Sequence, residues 1–411
     1  MHDLLYKIRP KSICATYRRI GNFLFSAALG SCLVQPALAA DQKINSSAGW
    51  LGAPETVFDA RQQGCDNLDI PDIGARAFRD DNGVVHLFST HFSGRAMLGP
   101  SLDLVKHDCH VVYQSHEDPN PAHFADRSWL GSFYTIDGRR VVALLHTEFE
   151  AWTHPGMCAA TNADWPNRAN CWWNVVTMAI SENGGYDFLD PEPPHNLVAS
   201  VPYPYDVNNT SGAFGYDSPT NILKVGAYYY AMIEDWPHRA QKYGACLIRT
   251  TNLFDNKSWR AWDGNDFTIR FANPYVEKIK SPEEHVCTPV GGASVYTPGS
   301  LSVHSPSKKY VTIQFAPDKR FGLSGLYIST SSDMTHWGKP NLVASIESML
   351  ADEPVGRWHY NYFSLLDPNS DDRNFGTITD DPYVYYVRTD MSVGYKSATL
   401  MRRRVHVRIE P

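Results

Sequence analysis

The sequence has no CxxC pair, no HExxH motif and no run of Lys and Arg outside its extreme ends. The first two absences argue against thiol-redox and zinc-peptidase chemistry, which need paired thiolates or two imidazoles on one helical face. The third, with a formal net charge of -7 over 411 residues, removes the concentrated positive charge that phosphate backbones require. Nucleic acid is therefore not an expected partner. Arg402-Arg403-Arg404 is no exception, because it leads into Val405-His406-Val407-Arg408-Ile409, whose period of two predicts a closing or edge strand with one wet face. Long apolar runs are missing too. Phe23-Leu24-Phe25-Ser26-Ala27-Ala28-Leu29 is short and interrupted, so stable membrane insertion is not expected.

That short stretch follows Lys7, Arg9, Lys11, Arg18 and Arg19 and precedes Ala37-Leu38-Ala39, the order of a secretory signal with a small-residue cleavage site. The expectation is a signal peptide over 1–40, a secreted or periplasmic destination, and a single domain over 41–411. Arg18-Arg19 leaves a twin-arginine route open. Cleavage would remove Cys14 and Cys32 and leave Cys65, Cys109, Cys158, Cys171, Cys246 and Cys287, an even set that permits disulfides in an exported chain. Sequence does not fix their pairing. Pairing of neighbours, Cys65 with Cys109, Cys158 with Cys171 and Cys246 with Cys287, is preferred. From Asp41 to about Val57 the chain reads as a polar lead-in along the surface.

What the chain has in quantity is aromatic residues, 12% with Trp 11 and Tyr 22, and a recurring pair of short strands. The pairs are Arg76 to Arg79 with Val84 to Phe88, Gly131 to Tyr134 with Val141 to Leu145, and Thr220 to Leu223 with Tyr228 to Met232. Ser300 to Val303 with Tyr310 to Ile313 and Tyr362 to Leu366 with Tyr383 to Val387 complete the series. Turns such as Asp81-Asn82-Gly83 and Asp137-Gly138 supply the left-handed backbone that hairpins need. Behind several pairs runs a third strand ending in Ser, Asp or Asn and then an aromatic: Leu326 to Ser329 before Trp337, Leu247 to Thr250 before Trp259, Val176 to Ser181 before Phe188. Five such units predict an all-β, five-bladed β-propeller. Uneven spacing places the long insertions before the third and fourth units on one rim.

In a propeller, residues just before the first strand of each unit converge on the axis. This geometry selects Asp72, Asp126 and Asp217, each of which could equally cap a loop. Two such carboxyls can act as acid and base at a glycosidic bond while a third tunes the acid. Tyr216-Asp217-Ser218-Pro219-Thr220-Asn221-Ile222-Leu223-Lys224, followed by Gly226 and Tyr228-Tyr229-Tyr230, resembles a segment of the five-bladed arabinanase and xylosidase-like glycoside hydrolases. There Glu-Gly-Pro carries the catalytic acid ahead of an Ile-rich strand and a Gly-Tyr-Tyr hairpin; here the triplet is Asp-Ser-Pro. The resemblance implies Asp217 as proton donor, Asp72 in Asp69-Ile70-Pro71-Asp72-Ile73 as general base, with Asp69 a competitor, and Asp126 as the carboxylate supporting the acid. It also implies an inverting hydrolysis of a polysaccharide or oligosaccharide.

Glu148 is a competing acid, because period two puts His146, Glu148 and Glu150 on one strand face; a solvated edge would look the same. Trp129, Trp152, Trp172, Trp173, Trp236 and Trp358 could stack on sugars or pack between blades. Trp129 beside Asp126, Trp358-His359-Tyr360 before the last unit, and His146 are the substrate-binding candidates. His86, His91, His107 and His110 form no metal-ligand pattern, so no cofactor is expected, although a single structural calcium at the axis is allowed. Two other functions fit the same sequence. A noncatalytic glycan-binding propeller would keep the aromatics without paired carboxylates, and a polysaccharide lyase would use groups such as Arg76, Arg127, His146 and Tyr360 on uronic acids.

Overall fold

A computed structural model describes residues 46–159, 167–292, 294–349 and 357–410. The expected signal peptide, with Cys14 and Cys32, lies outside the described residues. The strands are β1 (Ser46–Asp59), β2 (Arg76–Arg79), β3 (Val85–Phe88), β4 (Ser93–Gly99), β5 (Lys106–Gln114), β6 (Arg127–Thr135), β7 (Val141–Glu150), β8 (Trp172–Ser181) and β9 (Leu197–Ala199). They continue with β10 (Phe214–Asp217), β11 (Leu223–Val225), β12 (Tyr228–Trp236), β13 (Gly244–Thr250), β14 (Arg260–Ala261), β15 (Ser302–His304), β16 (Tyr310–Ala316), β17 (Gly325–Ser331) and β18 (Asn341–Ser345). The last are β19 (Trp358–Leu366), β20 (Thr377–Ile378), β21 (Tyr383–Asp390) and β22 (Thr399–Ile409).

These strands form five antiparallel meanders: β2-β3-β4-β5, β6-β7-β8-β9, β11-β12-β13-β14, β15-β16-β17-β18 and β19-β21-β22-β1. A parallel contact of β8 with β10 joins the second meander to the third. The units close into a ring because each apolar cluster is shared by two successive sheets. Phe78 and Phe88 pack with Phe133 and Leu145 between the first and second; Trp173 and Val175 pack with Tyr216 and Ile248 between the second and third. Met232 and Leu247 meet Met334 and Trp337, Ile313 and Ile328 meet Val384 and Val405, and Tyr385 and Leu400 return to Leu87 and Met97. The result is the expected five-bladed propeller, with its core distributed between blades. Trp259, Phe188 and Trp337, the aromatics that end the third strands, are all buried in those clusters.

Two expectations are corrected. The segment read as a surface lead-in is largely β1, which pairs with β22 from Ser46 opposite Ile409 to Asp59 opposite Thr399. Consequently β22 is no edge: it lies between β1 and β21, and the N-terminal strand is the outer one. Its alternating Arg and apolar residues reflect one face packed on the fourth blade's side and one wet face. The first strand of the third unit is also split. β10 and β11 both pair with β12, separated by Ser218 to Ile222. Pro219 has no N–H for a ladder and Ser218 sits at φ 38°, so a continuous strand is barred there.

The second strands of the blades end at Phe88, Glu150, Trp236, Ala316 and Asp390, all on one rim of the ring. Around the axis the sheets touch through small or polar groups. A side chain at Gly131 would collide with Pro219 and Ile73, so its absence lets three blades approach. Buried Arg76 donates to the Pro219 carbonyl at 3.1 Å, and Asn221 exchanges two hydrogen bonds with the Leu301 backbone. Among the described residues, no helix is long and apolar enough to cross a membrane.

Candidate active site

The rim end of the axis gathers acidic groups from three blades. Asp72 enters just before β2, where Tyr362 donates its hydroxyl to Oδ1 at 3.1 Å and Trp129 donates Nε1–H to Oδ2 at 3.3 Å. Burial, then the charge of Glu148, pushes the Asp72 carboxyl up to about 7 against those two hydrogen bonds. His91 Nε2 lies 3.5 Å from the same carboxyl. Burial and the Arg127 charge bring that ring down to about 4, so it is neutral and offers Asp72 no counter-charge.

The second blade contributes His146 and Glu148 on one face of β7, as period two requires. Nε2 of His146 lies 2.7 Å from Glu148 Oε1, and Nδ1 lies 3.0 Å from Asp217 Oδ1. Burial opposes a charge on this ring, yet Asp217 and Glu148 outweigh it and raise the imidazole to about 10. A doubly protonated ring donates from both nitrogens, so the Ser218 N–H, 3.4 Å from Nδ1, only touches it and is left to the Asp217 carboxylate.

Asp217 ends β10. Burial would raise its carboxyl, but His146 and the 2.6 Å hydrogen bond from the Ser218 hydroxyl hold it below the usual carboxylate range. Directly opposite on β12 stands Glu234. Burial, then the Asp217 charge, drives Glu234 far above its ordinary value, and Tyr243 donates to its Oε1 at 3.4 Å. Carboxyls whose environments push them apart are how one site holds an acid and a base together.

Two backbone outliers adjoin these carboxyls. Ser218 follows Asp217 at φ 38°, and Tyr362, the donor to Asp72, has φ 58° at an irregularity in the β19 to β21 pairing. Both cost of order 1–3 kcal/mol for non-glycine residues and are held by their surroundings. Gly215, at φ 106°, is needed two residues before Asp217, because a side chain there would fall on the Asn174 backbone at the seam of β8 and β10.

The structure brings Asp72, Glu148, His146, Asp217 and Trp129 together. Asp126 occupies a neighbouring position: its Oδ2 accepts from the Glu150 backbone N–H at 3.0 Å and lies 2.9 Å from His154 Nε2. Through Glu150 it supports the end of β7. Asp69, the competitor of Asp72, instead pairs with His107 at 2.7 Å and caps Cys65. Tyr360 packs in the apolar cluster between the fourth and fifth blades, Trp358 lies under the guanidinium of Arg388, and exposed His359 stands between them. The side chain of that strand which reaches the axis is Tyr362, because the irregularity after Asn361 turns the chain. Tyr362 and Glu234 are absent from the expected site residues. A signal existed for Glu234, since Ala231-Met232-Ile233-Glu234-Asp235-Trp236 ends its strand much as Leu144 to Trp152 ends the one that carries Glu148.

Cys65, Asp69 and His107 form one tight group of metal-ligand types, and Asp235, Cys246 and Cys287 form another. Their cysteines are tied up in the bonds Cys65–Cys109 and Cys246–Cys287, so no thiolate is available in either. Together with Cys158–Cys171 these are the preferred neighbour pairings.

No protein-family model matches the sequence, and no curated protein matches it. Among solved structures, a family 117 glycoside hydrolase produced by the marine bacterium Zobellia galactanivorans overlaps 89% of this chain and 92% of its own at 8% identity and TM-score 0.48. The Cellvibrio cellulosa alpha-L-arabinanase complexed with arabinohexaose overlaps 82% of this chain and 91% of its own at 11% identity and TM-score 0.44. A sucrose-6-phosphate hydrolase from Lactobacillus gasseri overlaps 84% and 62% at 11% identity and TM-score 0.45.

Proposed function

We propose that the protein is a glycoside hydrolase acting on a polysaccharide or oligosaccharide in an oxidising, extracytoplasmic compartment. The observation that carries the reading is the set of carboxyls at the axis with divergent proton affinities: Glu234 driven far above its ordinary value, Asp217 beside it held below its own, and Asp72 pushed up to about 7. The donor role expected of Asp217 passes to Glu234, whose carboxyl burial and the Asp217 charge drive far above its ordinary value. Asp217 takes the supporting role expected of Asp126. In the reaction, Asp72 removes a proton from water as its oxygen bonds to the anomeric carbon, and Glu234 delivers a proton to the departing glycosidic oxygen. Water is added across the broken bond, and a single displacement inverts the anomeric centre, which needs about 6.5–9.5 Å between the two carboxyls.

Three disulfides support the extracytoplasmic setting. A lyase would need a cation free to hold a uronate. Arg76 is committed to the Ala75 and Pro219 carbonyls and Arg127 to Glu150, which weighs against that chemistry. A structural calcium would also seek the oxygen-rich axis. Dialysis against a chelator tests for it, because a bound ion would show as a Tm drop that calcium restores.

The test of the function is incubation with arabinan, xylan, agar oligosaccharides and exopolysaccharides, with products read by mass and by anomeric NMR. Release of saturated sugars with inverted configuration is expected. Unsaturated uronyl ends, or intact glycans throughout the screen, would reject it.

A further inference from the structure

Glu234 stands between two banks of half-buried side chains. On one side, Trp236 lies two residues further along β12, so the strand period turns it to the same face as Glu234. Trp172, which opens β8 opposite Glu150, places its ring 6.1 Å from that of Trp236. Trp152 continues the row at 6.3 Å from Trp172. On the other side, Tyr243 reaches Glu234 with its hydroxyl and stacks on Tyr296 at 5.4 Å and 26°. The Arg320 guanidinium lies 4.4 Å from the Tyr296 ring centre. Tryptophan and tyrosine combine a broad apolar body with a polar tip, which matches a sugar's apolar face and its ring of hydroxyls.

We infer that these banks are subsites on opposite sides of the proton donor, so that the protein holds a neutral glycan chain across Glu234 with sugar units bound on both sides. The tryptophan row supplies stacking; the Tyr243, Tyr296 and Arg320 layer supplies phenol and guanidinium donors to hydroxyls. Neutrality follows from the commitment of the nearby cations. The His146 imidazolium lies between Glu148 and Asp217, at 2.7 and 3.0 Å, and Arg320 is already paired with Asp318, both of whose oxygens lie 2.8 Å from its Nε. Among the described residues, an approaching uronate or sulfate would meet these two cations already paired, beside the ionised Asp217.

The inference rests on the hydrolase reading only for the role of Glu234, and its test reads binding without turnover. The full chain is run by affinity electrophoresis through gels containing arabinan, xylan, galactan or polygalacturonate. Retardation by at least one neutral polymer is expected, falling fivefold or more in Trp236→Ala and, separately, in Tyr296→Ala. Trp236→Leu keeps apolar volume without a stacking face and gives the same answer should Trp236→Ala not fold.

Retention that depends on both rings in a protein that hydrolyses nothing would uphold the cleft and reject the hydrolase. Hydrolysis with retention unchanged in both variants would reject the cleft alone. Absence of retention by every neutral polymer, or stronger retention by polygalacturonate, would overturn the inference.

Discussion

Asp217 and Glu234 are direct partners across β10 and β12, yet one carboxyl is held below its ordinary range and the other far above it. The difference lies in their other neighbours: Asp217 has the His146 imidazolium and the Ser218 hydroxyl, whereas Glu234 has burial and the Asp217 charge. Glu234→Gln is expected to lower kcat about 10²–10⁴-fold on a natural glycoside, and less on an aryl glycoside with an activated leaving group. Asp217→Asn should act differently. With the repulsion removed, the proton on Glu234 is held less tightly, so the alkaline limb of the kcat/KM profile moves to lower pH. Equal losses on both substrate types in Glu234→Gln would return the donor role to Asp217.

The charge pair of His146 with Asp217 also bears on stability. His146 is raised to about 10 in the fold, so its contribution is complete below the free imidazole value and fades as pH rises through about 10. Asp217 is lowered, so its contribution is present above the ordinary carboxylate range and is lost as pH falls through the depressed value. Both are in place near neutrality. His146→Gln is expected to cost about 3–5 kcal/mol at pH 7 by urea unfolding, as a buried charge loses its partner. The cost should shrink above pH 10.

Asp72 gives the acidic limb. As a base it works ionised, so kcat/KM should rise with pH through about 7. Tyr362→Phe removes a hydrogen bond that favours the ionised carboxylate, and should move this limb upward by about one unit, or ~1.4 kcal/mol. Because an acid raised in the fold destabilises it as pH climbs above the unfolded value, Asp72→Asn should be more stable than the parent at pH 8 while inactive. Chevron or urea data at pH 4 and 8 check the sign.

Cys246 and Cys287, separated by 41 residues, tie the start of the third blade's third strand to the insertion that follows the blade. Loop-closure entropy for that length predicts about 4 kcal/mol lost in a double Cys→Ala variant. The bond sits beside buried Gln241, which holds Tyr216, Asp235 and the Cys287 backbone. Unfolding with and without reductant measures the loss.

The architecture was legible because β-branched and aromatic runs punctuated by Asn-Gly and Asp-Gly can hardly be anything but hairpins: β2 and β3 lie within a residue of where the sequence places them. The lead-in was not, because a strand added to an edge needs no strong apolar pattern, and Gly49, Gly52 and Pro54 within β1 argue against one. At the site, the rule that selects residues before each first strand found Asp72 and Asp217, which lie beside the axis. It could not find Glu234 or Tyr362. Glu234 gains its meaning from the residue across the ladder, and Tyr362 from a break in register; pairing and irregularity belong to three dimensions.

The pairing of β1 with β22 joins residues 46 and 409, so the earliest described strand waits for the latest. During synthesis the first blade has no neighbour on its open side until the fifth arrives, and the apolar surface shared by Leu87 and Leu400 stays unburied until then. Closure is therefore a single late event spanning nearly the whole chain, the kind of long-range contact that slows folding. A ring that cannot shut until its last strand is made stays open through nearly all of synthesis, and every blade before the fifth must hold its shape without the closed circle.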